Sequence, residues 1–69
     1  MKHYIVENKI EKTIFMDFME DPLDKKPLYV YGFSGGTNKP YIFNNKNTAE
    51  SVAIAMGDGY TVEIYKGEI

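Results

Sequence analysis

The chain is predicted to fold as α+β, a four- to five-stranded antiparallel sheet with one short helix packed on one face. Three features predict it. Residues 28–34 and 60–65 alternate at period two, as strands with two unlike faces do. Between them, Ala49, Val52, Ala53 and Met56 recur at i, i+3, i+4 and i+7, which draws one apolar stripe along a helix. A chain of this length makes one domain, and the break at 20–27 is too short to separate two, so residues 1–69 are expected to form a single domain.

The elements follow in order. Residues 3–7 read as a strand and Asn8-Lys9 as a turn. Residues 10–19 then form the second arm of a hairpin, because Thr, Ile and two Phe favour pleated structure. Ile10, Ile14, Met16 and Phe18 point to one side, and Glu11, Thr13, Phe15, Asp17 and Met19 to the other. A helix is the alternative for this stretch, since Ile10, Ile14 and Phe18 also recur every fourth residue. Asp21-Pro22 and Lys26-Pro27 push the residue before each proline away from helix, so 20–27 is a charged loop.

In the strand 28–34, Leu28 and Val30 share one face while Tyr29, Tyr31 and Phe33 share the other. Gly32 interrupts the aliphatic face, as close approach of another element requires, and the small-residue helix stripe is the natural neighbour. Residues 34–38 reverse the chain, and 39–44 return antiparallel to it. Asn47 is the expected helix N-cap, with Glu50 closing a capping box, and Gly57 is the expected C-terminal stop. The last strand sets Tyr60, Val62 and Ile64 against Thr61, Glu63 and Tyr65. Leu28, Val30, Ile42, Val62 and Ile64 then make an aliphatic seat for the helix, and an aromatic face is left with no second helix to cover it.

Composition removes several function classes. The chain has no Cys and one His, His3, so neither a disulfide framework nor a zinc cluster is expected, and no cofactor is implied. A domain this small buries only about 60% of its unfolded surface, which makes self-association a common remedy. No apolar run approaches the roughly 20 residues a membrane helix needs, and with no signal-like start a cytoplasmic location without membrane contact is expected. The net charge is −2 and every basic residue is Lys, so the counterion-release contribution and the Arg forks of nucleic-acid binders are weak or missing. Nucleic acid is therefore an unfavoured partner.

Candidate sites follow from what remains. Tyr29, Tyr31, Phe33, Tyr41, Phe43 and Tyr65, joined by Phe15, are expected to form the partner-binding face, because Tyr combines an apolar body with a polar tip. Asp17, Glu20, Asp21 and Asp24 are expected to rim it with negative charge, their spacing fitting no calcium loop. Residues 34–39 hold the small residues and Lys of a phosphate cradle without its spacing or a following helix, so a hairpin loop is expected there. His3 has no nucleophile at fixed spacing, and no metal or catalytic residue is assigned.

Tyr41-Ile42-Phe43, followed by Asn47-x-x-Glu50, Val52-Ala53, Gly57 and Val62-x-Ile64, resembles a layout of small bacteriophage and prophage α+β proteins, over the C-terminal half of the chain. The resemblance implies a role in binding a host protein and carries no individual functional residue. The function expected is a non-enzymatic interaction module, a phage-type inhibitor or adaptor docking its aromatic sheet face on a host protein, or a homodimer made through that face. The alternative is a single-stranded nucleic-acid or nucleotide binder stacking bases on the same rings.

Overall fold

A computed structural model describes residues 2–35 and 37–67. Strands β1 (Tyr4–Asn8), β2 (Thr13–Glu20) and β3 (Pro27–Phe33), helix α1 (Lys46–Met56) and strand β4 (Tyr60–Ile64) follow along the chain. The sheet is antiparallel throughout, with four strands in the order β3-β2-β1-β4. The fold is α+β as predicted. Its Cα radius of gyration is 11.9 Å, close to the roughly 11 Å expected for this length.

The 10–19 stretch resolves into turn and strand. Asn8 Oδ1 accepts from the backbone N–H groups of Ile10 and Glu11, at 3.0 and 2.9 Å, which closes the turn before β2 starts at Thr13. β2 then pairs with β3 from Thr13↔Phe33 to Glu20↔Pro27, so the longest hairpin runs through the 21–26 loop.

Residues 39–44 do not form the expected return strand beside β3. Pro40 has no N–H to offer such a ladder, and the backbone goes elsewhere. β1 and β2 hold register only at Glu7↔Ile14 and Asn8↔Thr13 and then diverge. Tyr41 N–H donates to the Phe15 carbonyl at 3.0 Å, while Phe43 and Tyr4 exchange two bonds of 2.8 Å. The 41–43 segment thus bridges the two strands where they splay.

Helix α1 starts two residues earlier than expected. Asn45, extended at φ −123° and ψ 121°, is the N-cap, and its side chain accepts from Asn47 and Thr48 N–H. Three Asn crowd this start, and capping-box spacing favours the wrong one. Glu50 sits 3.9 Å from Lys46 one turn back and closes no box. The apolar stripe is as predicted: Ala49, Val52 and Ala53 are buried and Met56 is half-buried.

The stripe does not sit on the aliphatic face. It packs over β1 and β4, onto a core that contains Val6, Phe15 and Phe43, with Tyr4, Tyr29, Tyr60 and Val62 against it. Small helix residues let the axis approach, and large rings fill the space beside it, so volumes rather than residue class decide the pairing. Val62 faces α1 as expected; Leu28 and Val30 do not, because the register puts them with Ile14 and Met19 on the other side. Gly32 is also on that far side. A Cβ there would stand 2.8 Å from Met16 Sδ and 3.0 Å from Asn38 Nδ2, so its close neighbours are these side chains and not the helix.

Candidate interaction surface

The ring-bearing face is built around Phe15, which is fully buried. Its ring lies 4.8 Å from Phe18, 5.6 Å from Tyr41, 5.7 Å from Phe43 and 6.0 Å from Tyr29. These are ordinary spacings for tilted and edge-on aromatic pairs. Strict alternation would send Phe15 and Phe18 to opposite faces, since they stand three positions apart. A bulge between Phe15 and Asp17 restores the parity, so Phe18 joins the rings while Met16 turns to the far face. Alternation alone misses Phe18. The signal for it is the Phe-x-x-Phe spacing, which only a bulge makes one-sided.

The structure divides the six expected partner-binding residues. Tyr31 and Phe33 are exposed, at 59% and 75%. Tyr29 is half-buried against Phe15 and Phe18, and Tyr41 is at the margin of exposure. Phe43 is only 3% exposed and belongs to the core, because its backbone is fixed to Tyr4 and its ring stacks on Phe15. It cannot serve as a contact residue. Tyr65 follows β4, at the opposite sheet edge from β3, and its N–H donates to the His3 carbonyl at 2.8 Å. It lies outside the patch.

The acidic residues 17–24 surround the tip of the β2–β3 hairpin. Asp21 organises the loop: its Oδ1 accepts from the N–H groups of Leu23 and Asp24 at 2.8 and 3.3 Å, and its carbonyl accepts from Lys25 N–H at 2.8 Å. Asp17 Oδ1 accepts from Phe18 N–H at 2.8 Å, beside the bulge. Glu20 lies 3.9 Å from Lys25, and Asp24 is exposed. Two of the four carboxylates therefore serve local backbone structure. Among the described residues no group of three or more His, Cys, Asp or Glu is placed to hold a metal.

Strand β3 is an edge, and its backbone direction can be derived. Ser34 N–H donates to the Lys12 carbonyl at 2.8 Å, which makes Thr13↔Phe33 a non-hydrogen-bonded pair. Phe15 gives its carbonyl to Tyr41, away from β3, so Phe15↔Tyr31 is of the same kind. By alternation the N–H and C=O groups of Tyr29, Tyr31 and Phe33 point off the edge of the sheet. Asn38 Nδ2 takes the Phe33 carbonyl at 2.9 Å. Tyr29 and Tyr31 keep both groups directed outward.

Beside this edge, on the helix side, lies a concave groove of about 400 Å³ between β3 and the C-terminal turn of α1. Tyr29, Tyr31, Tyr60 and Met56 line it, and the charged residues on its wall are Glu11 and Asp58. Tyr60 is held there by a 2.8 Å hydrogen bond between its hydroxyl and that of the buried Thr13. The groove draws on the last helical turn and on two turns distant in sequence, which pattern reading of single strands does not bring together.

No family model, curated protein or solved structure matches this chain. Among the described residues no helix is long and apolar enough to cross a membrane.

Proposed function

We propose that this protein is a non-enzymatic interaction module, an inhibitor or adaptor that grips another protein along β3. The observation that carries the reading is an edge without charge. Natural edge strands are commonly blunted by charged side chains, and β3 contains none between Pro27 and Phe33, its single Pro standing at its first position. Its outward backbone groups belong to Tyr29, Tyr31 and Phe33, and the rings of Tyr31 and Phe33 are exposed on one face. That combination suits strand addition, in which main-chain bonds supply affinity and side-chain pockets supply selectivity. A second copy of the chain, paired antiparallel through β3, is the homodimeric form of the same reading. The phage-type host partner rests on the layout resemblance, and the cytoplasm is the compartment the composition favours.

The test is a comparison of the wild type with the double variant Tyr31→Ala/Phe33→Ala. Light-scattering mass and capture from host lysate are measured beside circular dichroism, which reports whether the fold persists. The reading expects a specific captured protein, or a dimer mass, that disappears in a folded double variant. Unchanged mass and unchanged capture with the fold intact would refute it. A labelled-oligonucleotide titration at low salt separates the base-stacking alternative, which requires binding that falls steeply with salt.

A further inference from the structure

From the groove beside β3 we infer that the partner segment presents a basic side chain, Lys or Arg, between the tyrosines and the two carboxylates. This deepens the proposed function and rests on it, naming the chemistry of the partner at that surface. Three tyrosine residues, Tyr29, Tyr31 and Tyr60, and the thioether of Met56 line the groove together with Asn8, so its wall is ring-rich and mixed in polarity. Among the described residues the two charged ones on its wall are Glu11 and Asp58, and no Lys lines it although the chain has eight. A cation placed there meets tyrosine side chains and negative charge together, while an anion meets the repulsion of both carboxylates.

The positions of the two carboxylates come from the fold. Glu11 belongs to the turn that Asn8 closes, and Asp58 to the turn between α1 and β4, so both stand at one end of the sheet. Of the two lysines that flank Glu11 in the sequence, Lys9 is ion-paired with Glu63 and Lys12 does not line the groove. A strand added to β3 lies about 4.8 Å beyond it and sends every second side chain to the helix side. Lys or Arg has the reach to pass over the β3 tyrosines from that position, and a shorter apolar residue does not. Acidic side chains and phosphates are selected against by the same wall.

The test uses capped five-residue peptides of alternating Val and Thr with a central Arg, norleucine or Glu, titrated into the full chain and followed by nitrogen-15 and methyl NMR. The expected result is that the Arg peptide shifts Tyr29, Tyr31, Tyr60 and the Met56 methyl, binding about fivefold more tightly than norleucine. The Glu peptide should be weakest. In Glu11→Gln/Asp58→Asn, whose substituted side chains are exposed, the preference for Arg over norleucine should vanish while the protein spectrum remains that of a folded chain. Equal affinities for the three peptides, absence of shifts at the groove, or a preference that survives the double substitution would each overturn the inference. Failure here with loss of capture in Tyr31→Ala/Phe33→Ala leaves the interaction module standing. Loss of both readings requires that capture, too, be indifferent to those rings.

Discussion

The two halves of β2 show how one strand serves both core and surface. Thr13, Ile14 and Phe15 are buried, while Asp17 to Glu20 are exposed throughout. Each half carries one Phe and one Met, and the second adds the carboxylates of Asp17 and Glu20. Their cover differs as well. α1 lies over β1 and β4, and the 41–43 segment closes on Phe15, so shelter ends where the bulge begins. Beyond it the β2–β3 hairpin extends with apolar residues on both sides, including Phe18, Met19 and Leu28. The sheltered half fixes the fold, and the bare half leaves Phe18 and Met19 open to solvent.

Truncating one buried and one exposed ring puts the contrast between sheltered and bare positions under the greatest stress. Phe15→Ala should cost about 3–5 kcal/mol, because a fully buried ring with four aromatic neighbours leaves a cavity. In so small a domain that removes most or all of the stability, and urea denaturation should show little or no folded baseline. Phe33→Ala, at an exposed position, should lie within about 0.5 kcal/mol of wild type by the same measurement. Equal losses would erase the distinction.

Two smaller effects belong to the sheltered side of the molecule. Gly59→Ala forces a side chain onto φ 92° and brings its Cβ to 2.7 Å from Asn8 Nδ2, so about 1–2 kcal/mol should be lost in thermal or urea unfolding. Asn45→Ala should cost about 1 kcal/mol and Asn47→Ala much less, since only Asn45 caps α1. The reverse order would return the cap to the position the sequence pattern favours.

The smallest effect belongs to Lys9. Its ammonium is hydrogen-bonded and ion-paired to Glu63, which raises its pKa above the usual 10.5. A raised lysine pKa stabilises the fold while the group is protonated in both states. That contribution is present below the unfolded value and is lost as pH rises through the folded one. Melting temperature should therefore show no Lys9-dependent change from neutral pH to about 9, and a slight alkaline loss that Lys9→Met abolishes.

Much of the fold is legible in the sequence because it depends on local periodicity. The helix stripe from Ala49 to Met56, the stop at Gly57 and the strand that carries Tyr60, Val62 and Ile64 follow from spacing alone and stand in the structure. What is not legible depends on partners distant in the chain. The choice of sheet face by α1 turns on matching Ala49 and Ala53 to Phe15 and Phe43, a question of volume that alternation does not address. The bulge reverses the parity of Phe18, and Pro40 diverts 41–43 from β3 to the gap between β1 and β2. Of the expected contact rings, Tyr31 and Phe33 lie on an open strand, whereas Phe43 and Tyr65 share only a residue class with them.

That β3 is the gripping edge can be examined most directly by residue-resolved amide hydrogen exchange, on the free chain and on whichever complex it forms. Tyr29, Tyr31 and Phe33 N–H should exchange fast in the free protein, with Val30 and Gly32 protected by β2, and the three fast amides should slow together on association. A complex in which they keep their free-state rates, while protection rises elsewhere, would place the partner on another surface and rule β3 out as the docking edge.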